Sequence, residues 1–569
     1  MEARAKYDVL IAGGGLAGLT LALQLVQNKP GISILILEKR TAKAAACTHK
    51  VGESLSELGS SYFREILNLK EYLIQHQLPK FGFRFFFSPE HSDDITRRVE
   101  VGSKIFNPYP SHQVDRGLLE NDLICMLEDC NVDIMLGAKV MDVELSESGH
   151  KLRFETVKRQ HNTRGRWIVD ATGRNSFLKK KLKLQKEIDH DINAVWFRLN
   201  AVIDIDEWSS NLKWRNFVDP GRRRLATSHL MGEGYWIWII PLISGKTSIG
   251  IVADPKYHPF NGYNTFEKAM KWLGKHEPHA ARVLDEHREL LMDFKVMKDF
   301  AYDTKQFYSA DRWALTGEAG AFMDPFYSPG IDFIALGNSW ITDLIIRDVG
   351  GENTTLRTMV YDMAHKELLH GWISLYRNMY GIFGKTQVML MKIVWDWATY
   401  WAILNVLFIN NGYTDIDVLK QYSSINAGIG RRFSKLNEQM QELFRAWAQY
   451  DIEPCADHQL NIFDLECLHK LHTELGVCCK PGELIGKVAS NLKILEQISA
   501  EIFRLVSARI HGTPADMKVD PYEMKIDDGK DELLKKSINP NALSVVDPIR
   551  IDIARMWLQN IKTPENEFA

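Results

Sequence analysis

Residues 7–27 read YDVLIAGGGLAGLTLALQLVQ. An apolar, β-branched run (Val9, Leu10, Ile11) leads into Gly13-x-Gly15-x-x-Gly18, and an apolar helical run follows from Leu19 to Val26. The next apolar strand, ISILILE, ends on Glu38, about 20 residues past Gly18. Strand, glycine turn, helix, second strand and terminal acid together are the full context of a dinucleotide-binding unit, and they decide the fold class: α/β, with a Rossmann-type domain. The glycines let backbone approach a pyrophosphate at a helix N-terminus, where unpaired N–H groups and the helix dipole favour negative charge. Glu38 is placed to accept hydrogen bonds from a ribose. An acid there disfavours a 2′-phosphate, which points to FAD or NAD rather than NADP.

Outward from this unit, 569 residues are enough for more than one domain. The 45% apolar and 25% charged composition is that of a globular protein. A net charge of −3 gives no case for nucleic acid or an anionic membrane as partner. The cysteines, at 47, 125, 130, 455, 467, 478 and 479, are odd in number and form no CxxC pair, so reduced thiols, no metal site and a cytoplasmic location are expected. The N-terminus shows no signal-peptide pattern.

Two later segments carry glycine turns after strands: WIVDATGRNS (167–176) and DRWALTGEAGAFMDPFYSPGIDFIALGNS (311–339). With the first motif, they resemble the FAD enzymes that include aromatic hydroxylases, flavin-dependent halogenases and geranylgeranyl-type reductases. In that family the first motif binds the ADP half of FAD. The late motif binds the ribityl and pyrophosphate region, and the following helix start faces the flavin pyrimidine. The resemblance implies Gly13, Gly15, Ala17, Gly18, Glu38, Lys39, Gly317, Glu318, Asp324, Gly330 and Ile331 as cofactor-binding residues. Glu318 stands where the family usually has Asp. No second GxGxxG in strand–helix context offers a site for NADPH.

YWIWIIP (235–241) narrows the resemblance. On a strand, Trp236, Trp238 and Ile240 share a face. Flavin-dependent halogenases carry WxWxIP, which Trp236 to Pro241 fits at every fixed position, and a KVGES-like segment, matched by Lys50 to Ser54. Lys80, in PKFGFRFFF, matches their KxGxxF-like lysine. FMDPFYSPG (322–330) fits their FxxPxSxG-like turn, and HQVDRGLLENDL (112–123) fits the helix whose arginine, here Arg116, approaches the flavin. The resemblance covers about residues 7–345. It implies that reduced FAD, O2 and a halide (chloride or bromide), held near Ser328, Pro329 and Gly330, yield hypohalous acid for Lys80. Trp236 and Trp238 would keep an organic substrate from the flavin. Tyr327 stands where tryptophan halogenases have Glu, so a phenol- or pyrrole-like substrate is expected, free, alkyl-tailed or tethered to a carrier protein. A separate flavin reductase would be the partner. A single-component aromatic hydroxylase, or a docking or membrane-surface flavoprotein, is the alternative.

Residues 1–350 read as the FAD-binding domain, with a mixed substrate-side sheet inserted at about 80–100 and 186–265. Residues 351–511 read as an all-helical C-terminal region over the substrate chamber, and 512–569 as a loop-rich tail with a final helix. The apolar stretch 388–409, VMLMKIVWDWATYWAILNVLFI, reads as a buried helix with Lys392 and Asp396 paired four apart; a membrane-surface helix is the alternative. The basic run KKKLKLQK (179–186) reads as a solvated turn, or as a dock for an anionic carrier partner.

Overall fold

A computed structural model describes residues 4–526 apart from 158, 425–427, 451–458, 481 and 515–516, together with the helix Asp547–Leu558. Two sheets organise the chain. In the first, the strands Lys6–Ala12, Ile34–Glu38, Asp133–Leu136, Gln160–Asp170 and Trp313–Leu315 run parallel. Their spatial order puts Lys6–Ala12 at the centre, between Ile34–Glu38 and Gln160–Asp170. The continuous apolar run of the opening strand suits a strand covered on both faces. The helix Leu16–Asn28 crosses over to the second strand, and Gly18 lets it do so closely: a Cβ there would collide with the Gly13 carbonyl.

The second sheet is mixed. It runs in the order Leu291–Met297, Asn193–Leu199, Thr247–Ala253, Tyr235–Pro241, Thr227–Gly232, Phe83–Phe86, Glu100–Gly102 and Gln459–Asn461. Period-two alternation sets its faces. Tyr235, Ile237 and Ile239 pack on the helices Phe266–His276 and Pro278–Asp285, whereas Trp236, Trp238 and Ile240 join the main core on the opposite face. Trp238 pairs with Gly250 in register, and its indole fills the space a Cβ of Gly250 would take.

The C-terminal region is helical as expected, with one addition. Gln459–Asn461 pairs in parallel with Glu100–Gly102 and makes this region part of the substrate-side sheet. The stretch 388–409 is the helix Thr386–Thr399, a π-helical turn Tyr400–Asn405 and a last turn Val406–Ile409. Lys392 and Asp396 are buried and paired at 2.7 Å, and Gln441 of the helix Ile429–Trp447 accepts a second bond from the ammonium. An ion pair with both ends satisfied is what allows a lysine at full burial. No described helix is long and apolar enough to cross a membrane. In the basic run, Lys179 turns inward to donate to the Gly320 carbonyl at 2.8 Å and lies over the Tyr302 ring, so it is no solvated turn residue.

Candidate active site

A cavity of about 900 Å³ runs between the two sheets. Its lining includes Leu37 to Arg40 and Ala138 to Val140, Gly13, Gly15, Leu16 and Ala17 with Gly317, Glu318, Gly330 and Ile331, and Trp196, Thr227, His229, Trp236 and Trp238. Segments as far apart in the chain as Gly13 and Gly330 therefore share one wall, because the parallel order of the first sheet brings the C-terminal ends of its strands together. Gly15 is decisive here. A Cβ on it would meet no protein atom nearer than the Lys50 ammonium at 4.0 Å, so the space in front of it is open cavity. The helix Pro329–Val349 begins at the same cavity, with Pro329 in its first turn and the preceding Tyr327 and Ser328 both left-handed, at φ 68° and 61°. Two successive non-glycine residues in that region store strain where the turn presents a helix start.

The structure assigns different work to several expected cofactor residues. Glu38 accepts from the Gly14 and Arg40 backbone N–H groups, both at 2.8 Å, and so shapes the turn as well as lining the cavity. Arg116 lines the cavity, donates to the Val51 carbonyl at 2.6 Å, and pairs with Glu120. Gly18 packs helix on strand rather than lining the cavity, and Pro329 does not line it either. Asp324 lines the cavity, but its oxygens are engaged by protein: one accepts from the Phe326 N–H, the other from Tyr380 and from His190 at 2.9 Å. Tyr380 in turn accepts from the Trp236 indole N–H at 3.0 Å, which ties the late turn to the tryptophan wall. Glu318 is left facing the cavity, its carboxyl pushed up by burial and pulled back less strongly by Arg174, Arg116 and Lys50. A cavity of about 900 Å³ with a glycine cradle, a facing acid and a helix start fits FAD.

Lys80 is 2% exposed and lies in neither cavity wall but between two cavities. Its strand Leu78–Lys80 pairs with Ser111–Gln113, and an isolated bridge joins Ser54 to Gln113, which brings the end of KVGES against it. The ammonium donates to Ser54 Oγ and to the Leu55 carbonyl, both at 2.8 Å, and sits 3.4 Å from the centre of the Phe83 ring. Ser54 lines the large cavity, and its hydroxyl is 2.8 Å from that of Thr227. Phe83 lines a second cavity, of about 50 Å³, with Glu57, Asn107, Tyr327, Asp396, Trp397, Tyr400, Trp401 and Phe463. Burial drives the Lys80 pKa down to about 7, against the pull of Glu57 and Asp332. Asp332, one turn into the helix after Gly330, is pushed up to about 7, chiefly by burial; it accepts from Ser56, from the Gly59 N–H and from Tyr400. His229 stacks on Phe85 at 4.6 Å, and burial and Lys80 hold its pKa down to about 3, so it is neutral at ordinary pH.

The sequence reading missed Glu57, Thr227, His229 and Asp332, and placed Asp396 only as the helical partner of Lys392. Asp332 had a signal, two residues past Gly330 in the same segment; Glu57, Thr227 and His229 had none. Tyr327 in place of Glu does not leave the small cavity without a carboxylate: Glu57 and Asp396 both line it, and the Tyr327 hydroxyl donates to Asp396 at 3.1 Å.

Comparison with known proteins agrees with this geometry. The FAD binding domain family matches residues 6–224. The flavin-dependent halogenase chlA of Dictyostelium discoideum is 27% identical over 432 residues, 70% of each chain. The present chain is thus similar to flavin-dependent halogenases over 70% of its length. It is also 26% identical to the 1H-pyrrole-2-carbonyl-[peptidyl-carrier protein] chlorinase of Pseudomonas fluorescens, over 59% of its own length and 74% of that protein's. Among solved folds, the halogenase PltM in complex with phloroglucinol and FAD superposes with a TM-score of 0.60 at 17% identity, over 84% of this chain and 98% of that one. FAD is the cofactor of this chain.

Proposed function

We propose that this protein halogenates an electron-rich aromatic ring and that Lys80 carries the halogen between the two cavities. The observation that carries the reading is the position of Lys80: bonded to a hydroxyl of the large cavity, stacked on an aromatic of the small one, and close to half deprotonated at neutral pH. Reduced FAD with O2 and a halide supplies hypohalous acid in the large cavity. Ser328 and Gly330, at the start of Pro329–Val349, hold the halide where the helix dipole favours an anion. Trp236 and Trp238, 1% and 4% exposed, wall the organic substrate off from the cofactor. The Ser54 and Thr227 hydroxyls give the small polar acid a way through that wall to Lys80.

The amine of Lys80 attacks the halogen. An N–X bond forms, the X–O bond breaks, and the departing hydroxide takes a proton from the amine and leaves as water. The ring then attacks the halogen, a C–X bond forms as N–X breaks, and the ring proton restores the amine. A lysine suits this because burial keeps much of it as free amine near pH 7. A phenol or pyrrole fits, since its heteroatom feeds electrons into the ring, and a separate reductase delivers reduced FAD. Mixing purified protein with NAD(P)H in air tests the last point. Slow NAD(P)H oxidation that becomes fast only with an added reductase supports a two-component enzyme; rapid oxidation by the protein alone contradicts it.

A further inference from the structure

The second cavity is walled by aromatic faces: Phe83, Tyr327, Trp397, Trp401 and Phe463. At about 50 Å³ it holds a few waters as it stands, so an arriving ring must push side chains apart and a fused polycycle is disfavoured. Two carboxylates break the apolar wall, and they differ in what they have left to offer. Asp396 is saturated: Lys392 and Tyr327 donate to one oxygen and Gln441 to the other. Glu57 is not. Asn107 Nδ2 at 3.2 Å and His472 Nε2 at 3.4 Å both approach Oε1, which leaves Oε2 without a side-chain donor. Glu57 opens the short helix Glu57–Ser61 and is 5% exposed.

We propose that Glu57 is the substrate-recognition group of the second cavity: its carboxylate accepts the O–H or N–H of a single-ring phenol or pyrrole. This rests on the halogenase reading only for what happens to the ring afterwards. Recognition by a charged acceptor in an aromatic enclosure selects ligands that bring a donor, because a ring without one leaves the buried carboxylate poorly paired. It also orients the ring and increases the electron density of the carbons ortho and para to the donor. Burial by itself would raise the Glu57 pKa; the hydrogen bond from His472, with the charge of Lys80, instead holds it below the usual carboxylate range. An ionised acceptor at neutral pH is therefore in place. Tyr109 donates its backbone N–H to His472 Nδ1 at 3.3 Å, which turns Nε2 with its proton toward Glu57.

Binding of phenol and of toluene to the FAD-loaded protein, read by tryptophan fluorescence or calorimetry, tests the idea, since the two ligands differ by hydroxyl against methyl at nearly equal size. Wild type is expected to prefer phenol by about 10- to 100-fold, the range of a hydrogen bond to a charged group. Glu57→Gln is expected to lose most of that preference while keeping FAD. Toluene binding as tightly as phenol in the wild type overturns the assignment without any variant, which covers the case of a variant that does not fold. An undiminished preference in Glu57→Gln overturns it too. A preference that depends on Glu57, with neither halogenated phenol nor halogenated pyrrole formed under turnover, supports the recognition site and overturns the halogenase reading instead.

Discussion

The two cavities on either side of Lys80 are built in opposite ways. The large one is made from backbone: glycines at 13, 15, 317 and 330, a helix start, and strand ends from distant segments of one parallel sheet. The small one is made from side chains, chiefly aromatics of the segments 372–404 and 462–463, set around a few buried polar groups. A backbone cradle tolerates almost no change at its glycines, because a Cβ either enters the ligand space, as at Gly15 and Gly330, or collides with protein, as at Gly13 against the Ala171 carbonyl. A side-chain chamber can be resurfaced residue by residue while the fold stays. The difference teaches where cofactor chemistry and substrate choice reside: the first in a fixed frame, the second in an adjustable lining.

The sharpest way to break the comparison is at the frame. Gly15→Val is expected to remove FAD altogether while the chain stays folded, since the added atoms enter open cavity and meet no protein atom nearer than the Lys50 ammonium. Circular dichroism and flavin absorbance after purification measure both, and a yellow, folded variant would show that the cradle lies elsewhere.

Next comes the junction. Lys80→Ala is expected to keep FAD and oxygen consumption but to lower the yield of halogenated product by roughly 10²- to 10⁴-fold. Product analysis of equal amounts of the two proteins measures this; a variant within a few-fold of wild type would make Lys80 a structural residue.

A pH profile sharpens the chemistry at the junction. Lys80 has its pKa lowered to about 7, so it is ammonium below that pH and free amine above it. Attack on hypohalous acid needs the free amine, so the product-forming rate is expected to fall by about tenfold per pH unit below 7 and to level off above it. Asp332, also near 7, and Glu57 share the field, so the apparent value belongs to the cluster. A rate that rises as pH falls would mean that the ammonium acts as a hydrogen-bond donor instead.

The smallest effect is expected at the wall. Tyr380→Phe leaves the Trp236 N–H without its acceptor and removes a donor from Asp324, at a cost of about 1–3 kcal/mol in stability by denaturant unfolding. An unchanged midpoint would mean that this tie between turn and wall carries no load.

The same contrast explains what could be read from the sequence. Backbone cradles leave local signatures: Gly13-x-Gly15-x-x-Gly18 announces itself within one strand–helix–strand unit that closes on Glu38, and alternation put Trp236, Trp238 and Ile240 on one face, as the structure has them. The Lys392–Asp396 pair was legible for the same reason, a fixed helical spacing. The small cavity had no such signature. Glu57, Asp396 and His472 come from separate parts of the chain and meet only through long-range packing, and no period or motif encodes that. Gln459–Asn461 was missed on similar grounds: the strand is too short to show alternation, and its partner, Glu100–Gly102, lies in a distant part of the chain. Lys179 looked like one more solvated charge in a basic run until the fold turned it inward.

The central claim is that halogen passes from one cavity to the other through Lys80. Its most direct test supplies wild type and Lys80→Ala with a flavin reductase, FAD, NADH, chloride or bromide, and a panel of phenols, pyrroles and tryptophan, and reads the products by mass spectrometry. Wild type is predicted to give the halogen isotope pattern on a phenol or pyrrole, with Lys80→Ala consuming oxygen but leaving the ring untouched. Hydroxylated rings without halogen, or halogenated product of equal yield from both proteins, would contradict it.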